Sequence, residues 1–486
     1  MSAKCIIAID QSTSASKVFL LDGQGQIAGQ FSKSHHQHYP APGHVEHDAG
    51  EIWQNVRDGI QRLSGEAEVI AGLAISNQRE TTVVWDRDTG EPLCPAVVWQ
   101  DVRGQYICWE LAAYADQIRA LTGLAVSAYF PAAKAAAKLR EEPRLRQLAQ
   151  EGKLCIGTVD SYLIYRLTGG RVFRTDVSNA SRTQLMDLKT LHWSEELCGL
   201  FGIPMQCLPE ILPSDADFGV TSAEGIPSGI PITGVMGDSH AAFFGQGCHQ
   251  KGMTKATYGT GSSVMMHIGD APLLSSHGLS TSVGYAFRGE TCYVLEGNVT
   301  CSGDTLRWLC NEAGMIGDIA EAEKIAAEVE DTQGVYLVPA FSGLGAPYNQ
   351  AQARAIICGL NRGSTKKHIV RAALESIAYQ DADIIRAMQD DTVSSLKELR
   401  VDGGPTTNSL LMQFQADVLG CPVQCAPASE LSAIGAGYMA GITLGVYPDM
   451  QGLGRAAGKR YQPQKSQQWR EDTLAGWKAA VARSAG

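Results

Sequence analysis

The sequence predicts an α/β protein of two domains with a cleft between them. Three observations carry this. The chain has 486 residues, too many for one ordinary hydrophobic core. A strand–turn–strand plan at the head of the chain, Cys5 to Leu21, returns in the second half at Lys255 to Ile268, as in a duplicated domain. Between them an apolar, β-branched run, Pro231-Ile-Thr-Gly-Val-Met236, leads through Gly237-Asp238-Ser239-His240 into Ala241-Ala-Phe-Phe-Gly245. That pattern is a buried strand feeding a helix. Open α/β sheets bind their ligands at the carboxyl ends of strands, so Asp238 stands where chemistry is usually done. An Asp ahead of an Ala run also serves as a helix N-cap, and the rest of the chain must decide between the two.

In chain order, Cys5-Ile-Ile-Ala-Ile9 and Val18-Phe-Leu-Leu21 read as strands around Asp10-Gln-Ser-Thr-Ser-Ala-Ser-Lys17. A tip this rich in hydroxyl and N–H donors, with one Lys, suits a polyphosphate, and Asp10 suits Mg²⁺. The same stretch also reads as a plain solvated hairpin. Asp48 precedes an amphipathic helix beginning Glu51-Ile-Trp. Ala71–Ser76 reads as a strand that ends in Asn77-Gln78-Arg79-Glu80. Arg79 and Glu80 form either a surface ion pair or a donor–acceptor pair for hydroxyl groups. Trp99 and Tyr129 offer aromatic faces for a carbon chain, or simply fill the core. Pro131 opens an Ala- and Lys-rich helix, and residues 368–390 form a long amphipathic one. The second hairpin carries Gly259-Thr260-Gly261-Ser262-Ser263, and a third Gly-rich turn is Asp402-Gly403-Gly404. No Walker motif is present. Three such turns in two halves point to a nucleotide clamped between the halves.

Charge and composition exclude other classes. A net charge of −11 disfavours nucleic acid and acidic membranes as partners. No uncharged apolar run reaches membrane-spanning length, and the chain opens on a strand with no leader-like stretch. Thirteen scattered cysteines without a Cys-x-x-Cys pair read as reduced, mostly buried thiols of a cytoplasmic protein.

These residues resemble the FGGY carbohydrate kinases, and within that family the glycerol kinases. The matching stretches are Gln78-Arg79-Glu80-Thr81-Thr82, Trp99-Gln100, Tyr129-Phe130, Gly237-Asp238, Tyr258-Gly259-Thr260-Gly261, the run from Val338 to Pro347 and Asp402-Gly403-Gly404. Residues 355–375 fit the family's second pattern, and the likeness runs from Asp10 to about Trp477. The resemblance implies two actin-like, ribonuclease H-like domains, 1–246 and 247–486, with ATP and Mg²⁺ in the cleft. The first would carry the acceptor site and catalytic base, the second the nucleotide. It implies phosphoryl transfer from ATP to a small polyol and a homodimer or homotetramer. Position by position, Asp238 would be the base, and Arg79, Glu80, Trp99 and Tyr129 would hold the polyol. Thr13, Ser14, Lys17 and Thr260 would meet the phosphates. Gly303, Arg307, Gly404 and Asn408 would line the adenosine side, and Asp10 and Asp238 would organise the metal.

Departures from the glycerol-kinase pattern qualify this. Ser12 replaces a Gly, so the first turn must avoid positive φ or accept strain. Lys17 replaces Arg and loses its fork. Arg307 replaces Gln, Ala137 a Trp and Asn349 another Trp. On the acceptor side Ser239 stands for Gln and Ser263 for Phe. The alternatives are therefore a kinase for a four- or five-carbon polyol or ketose and, from another class, a non-catalytic actin-like sensor. The loop 221–229 shows no counterpart of the family's allosteric inhibitor loop, so no such inhibition is expected.

Overall fold

The computed structural model describes residues 4–427, 430–449 and 458–485. The chain begins with β1 (Lys4–Gln11), β2 (Ala15–Leu21) and β3 (Ile27–Ser34), then α1 (Ala49–Ser64), which Asp48 caps through its side chain, and β4 (Val69–Asn77). After α2 (Pro131–Glu141) come β5 (Ile232–Gly237) and α3 (Asp238–Gly245). The second half holds β6 (Thr254–Tyr258), β7 (Ser262–Gly269), β8 (Ser280–Phe287), β9 (Glu290–Val299) and α4 (Gly303–Asn311). It continues with α5 (Lys366–Thr392), β10 (Leu399–Gly403), α6 (Ser409–Leu419), β11 (Val423–Cys425), α7 (Leu431–Thr443), β12 (Arg460–Tyr461) and α8 (Gln467–Ser484).

Two mixed sheets organise the molecule, ordered β5-β4-β1-β2-β3 and β8-β9-β7-β6-β10-β11-β12. In each an antiparallel hairpin sits beside parallel strands: β1 pairs antiparallel with β2 and parallel with β4, and β6 pairs antiparallel with β7 and parallel with β10. The repeat read from sequence is therefore a repeat of topology. The apolar runs are central strands: Ile6, Ile7, Ala8 and Ile9 of β1 are fully buried, as a strand covered on both faces demands.

The lobes share a core. Ile6, Ala8, Phe19, Ala74 and Met236 of the first sheet pack with Phe243 and Phe244 of α3, Met265 and Val294 of the second sheet, and Ala433, Met439 and Ala440 of α7. Helices α3 and α7 touch backbone to backbone, since a Cβ on Gly435 would lie 1.8 Å from the Ala241 carbonyl oxygen. Helix α7 packs in turn on β1, β4 and β5, so this contact holds α3 against the strands that end at the cleft. Ser12 is not among the described non-glycine residues with positive φ, so the first turn is built without strain there. All thirteen cysteines are free thiols. No described helix is long and apolar enough to cross a membrane.

Candidate active site

Asp238 is the first residue of α3, and Gly237 is the N-cap, so the cap reading fails by one position. Its Oδ1 accepts the Ser239 N–H at 2.6 Å and lies 3.3 Å from Arg79 Nε. Its side chain keeps 36% exposure at the cleft while Arg79 keeps 6%. The two meet because residue 237 is glycine: a Cβ there would lie 2.3 Å from Arg79 Cγ. Burial raises the Asp238 pKa and the Glu80 charge adds to this, while Arg79 pulls it down. The result is a carboxylate of heightened basicity beside a fixed cation, a suitable acceptor for a hydroxyl proton.

Arg79 and Glu80 are not a surface pair. Both are buried, at 5% and 3% exposure, and each looks to a second partner. Arg79 Nη1 and Nη2 donate to the two oxygens of Glu296 at 3.0 and 2.8 Å. Arg182 Nε donates to Glu80 Oε1 at 2.8 Å, and its Nη1 lies 2.9 Å from Glu296 Oε2. Desolvation would raise Glu296, but Arg182 and Arg79 together hold it well below the usual carboxylate range. Two buried cations and two buried anions thus compensate one another.

Trp99, Tyr129 and Phe130 form one aromatic cluster. Trp99 and Tyr129 meet edge to face at 5.8 Å, and Tyr129 meets Phe130 likewise at 5.2 Å. Arg182 stacks over Phe130. Beside this cluster, fully buried Lys134 of α2 donates to the Tyr129 carbonyl, and burial brings its pKa down to about 7. Ser239 and Ser263 are half-buried, and Ser263 Oγ donates to Glu296 Oε1 at 3.2 Å. His240 sits behind them, fully buried, with Nε2 3.3 Å from Ser282 Oγ.

The tip between β1 and β2 holds Thr13 and Ser14, and Lys17 follows on β2, paired across the hairpin with Asp10. Trp99 Nε1 donates to Thr13 Oγ1 at 2.9 Å, so one aromatic of the cluster is bonded to the turn. Lys17 Nζ pairs with Glu430 Oε2 at 2.8 Å, just ahead of α7. Asp10 accepts the Ser76 hydroxyl at 3.0 Å. Its burial, and then the charge of Asp238, push its pKa up to about 7. A desolvated carboxylate whose proton affinity a second carboxylate raises further fits a divalent cation, which would relieve that repulsion.

The second turn is held by the start of α4. Gly303 N donates to Gly259 O, and Ser302 and Asp304 N–H groups to Thr260 O, at 3.0, 2.9 and 3.1 Å. This ties the exposed Thr260 turn to the start of α4. Gly404 is exposed at the end of β10, where a Cβ would meet nothing within 4 Å. Arg307 is half-exposed and pairs with Asp304 at 3.3 Å. Asn408 caps α6 by accepting the Leu411 N–H at 2.9 Å, a structural duty beside any contact with adenosine.

Sequence reasoning missed Glu296, Arg182, Lys255 and His35. Lys255 is fully buried on β6, donates to Thr257 Oγ1 at 2.8 Å, and is lowered by burial against the pull of Asp402 and Glu296. The available signal was a lone charge in an apolar strand, as in Tyr-Val-Leu-Glu296 and Lys255-Ala-Thr-Tyr.

Residues 5–245 match the N-terminal domain of the FGGY family of carbohydrate kinases and residues 254–444 its C-terminal domain. The chain is 45% identical to a glycerol kinase of Dechloromonas aromatica, over 99% of this chain and 98% of that one. It is likewise 45% identical to a glycerol kinase of Aromatoleum aromaticum, over 99% of both. A crystal structure of Plasmodium falciparum glycerol kinase with ADP superposes with a TM-score of 0.96 at 36% identity, covering 99% of this chain and 98% of that one. A xylulose kinase from Lactobacillus acidophilus, 23% identical over 99% of each chain, shares the fold with a TM-score of 0.89.

Proposed function

The chain belongs to the FGGY family of carbohydrate kinases, and we propose that it transfers the terminal phosphoryl group of ATP to a terminal hydroxyl of glycerol. The observation that carries this reading is Asp238 directly after β5, 3.3 Å from Arg79 Nε, with Arg79 buried beside Glu80. Full-length likeness to glycerol kinases supports it.

Phosphoryl transfer asks the protein for in-line positioning and charge neutralisation more than covalent help. Arg79 and Glu80 hold acceptor hydroxyls, as donor and acceptor. Trp99 and Tyr129 pack the carbon chain and aim its end at Asp238. Asp238 takes the hydroxyl proton as the oxygen attacks. Thr13, Ser14 and Lys17 from one hairpin and Thr260 from the other flank the phosphates. Gly303, Arg307, Gly404 and Asn408 line the adenosine side. Asp10 and Asp238 would hold Mg²⁺, which supplies charge neutralisation to the polyphosphate. The polar, pre-paired cluster under Arg79 keeps its cation oriented before substrate arrives, so little reorganisation is needed at reaction.

A second reading is favoured by Ser239 and Ser263. Both are small and both carry hydroxyls, which favours an acceptor with additional hydroxyls, a four- or five-carbon polyol or ketose. The test of the main reading is ADP release on mixing the protein with ATP, Mg²⁺ and glycerol, with the product identified as glycerol 3-phosphate. No ADP above the acceptor-free rate, for glycerol or any other polyol, would overturn it.

A further inference from the structure

We propose that His35 is a positioning residue for the phosphate-binding turn, its Nε2–H donated to the Thr13 carbonyl so that the turn presents its donors to the nucleotide. The inference rests on the reading of the Thr13–Lys17 turn as the phosphate site.

His35 directly follows β3, whose last residue Ser34 pairs with Ala15 at the start of β2. Its backbone N–H therefore continues the ladder to the Ser14 carbonyl, at 3.3 Å. Its side chain folds back over the same turn and places Nε2 2.9 Å from Thr13 O. Thr13 is then held at two atoms, since Trp99 Nε1 donates to its Oγ1 at 2.9 Å. Ser12 closes the turn from below, with both its N–H and its hydroxyl on Ala15 O, at 2.9 and 3.0 Å. What this bonding leaves unused is informative. No described backbone bond engages the Thr13 or Ser14 N–H, so these amides stay available to an anion.

The ring is more than filler. His35 is 8% exposed and meets the fully buried His47 edge-on at 4.6 Å. A phenyl ring would satisfy that packing. Instead His35 Nδ1 and His47 Nε2 are both buried without a hydrogen-bond partner. Thr13 O can only accept, so the His35 proton resides on Nε2. His36 O can only accept from His47 Nδ1, at 3.1 Å, so the His47 proton resides there. Both tautomers are fixed, and the bare nitrogens are the cost of the two donated bonds. Burial keeps both rings neutral, with His47 brought down to about 4.

The test compares His35→Gln, which keeps an N–H donor at similar reach, with His35→Met, which has similar length and no donor. The readouts are Mg·ADP affinity by calorimetry, the KM for ATP against that for glycerol, and thermal unfolding. His35→Met should weaken nucleotide binding about tenfold, a change of about 1.4 kcal/mol. Its KM for glycerol should stay within about twofold of wild type and its Tm within a few degrees. His35→Gln should lie within about threefold of wild type throughout. Equal nucleotide affinity in all three proteins overturns the proposal. So does equal weakening in both variants, which would make the ring's packing decisive. So does a Met variant that fails to fold while the Gln variant folds, which would make the bond one of stability. A wild-type protein that binds ADP yet phosphorylates no polyol would overturn the functional reading alone, and the Gln-to-Met affinity ratio would still decide His35.

Discussion

Arg79 in the first lobe and Glu296 in the second, 217 residues apart in the chain, face one another in a two-pronged ion pair at 3.0 and 2.8 Å. Arg182 closes on the same carboxylate at 2.9 Å. Glu296→Gln removes the anion and leaves two buried guanidinium groups facing each other. Breaking a buried pair by deleting one partner typically costs about 3–5 kcal/mol. We expect Glu296→Gln to lower unfolding free energy by about that amount and to raise the KM for the acceptor. Urea denaturation of both proteins checks it, and a loss under about 1 kcal/mol would show that the arginines are compensated elsewhere.

Asp238→Asn should keep the fold and nucleotide affinity while kcat drops by about 10²-fold or more, the usual scale for a lost general base. Single-turnover kinetics with a calorimetric ADP titration separate chemistry from binding. A wild-type rate would leave Asp238 a structural residue only.

Asp10→Asn should abolish most of the extra thermal stabilisation that Mg²⁺ adds to the ADP-bound protein, because ligand stabilisation follows affinity. The comparison is Tm with ADP, with and without Mg²⁺, for both proteins. An unchanged Mg²⁺ increment would place the metal elsewhere.

Asp381 of α5 lies fully buried beneath Tyr258, neither oxygen in a well-formed hydrogen bond, and burial pushes its pKa up to about 7. In the unfolded chain the group ionises near 3.9. Between these values the folded state holds a proton that the unfolded state has released, so stability falls as pH rises from about 4 to about 7. Asp381→Asn does not titrate. Its stability relative to wild type should therefore climb by on the order of 1.4 kcal/mol per pH unit across that window and level off above it. Urea titrations at pH 5, 6, 7 and 8 read this directly; a pH-independent difference would mean that Asp381 ionises normally.

The acceptor range follows from Ser239 and Ser263. On the second reading, at least one of erythritol, xylitol, erythrulose, ribulose and xylulose should be turned over with a kcat/KM at least equal to that for glycerol. A glycerol value more than about tenfold above all of them, roughly 1.4 kcal/mol of transition-state preference, would show that neighbouring side chains refill the space.

Much of this was readable before the fold was seen, and the reasons are local. Pro231–Met236 and Ala241–Gly245 carry the strand and helix patterns that place Asp238, and the two hairpins announce themselves by apolar runs around polar tips. Pattern also located Arg79 and Glu80 at a strand end. It could not say that they are buried, because their partners Glu296 and Arg182 come from elements far along the chain. His35 hides for a similar reason: in sequence it is one of several histidines in a polar stretch, and only the β2–β3 register puts its ring over Thr13. Asn408 shows the converse, a residue matched to a nucleotide contact that also serves as a helix cap.

The docking of α7 has a consequence for how this chain can be made or cut. Residues 431–443 come from the last eighth of the sequence, yet they cover Ile6, Ala8, Ala74 and Met236, which the ribosome delivers far earlier. The amino-terminal sheet must therefore wait with an apolar face open until nearly the whole polypeptide has emerged. A fragment ending ahead of Leu431 would keep that face bare and stick to its neighbours, and a fragment starting after Gly245 would carry the missing cover with nothing to lay it on. The two lobes thus share one apolar seam, and a fragment carrying either lobe alone would leave its side of that seam exposed.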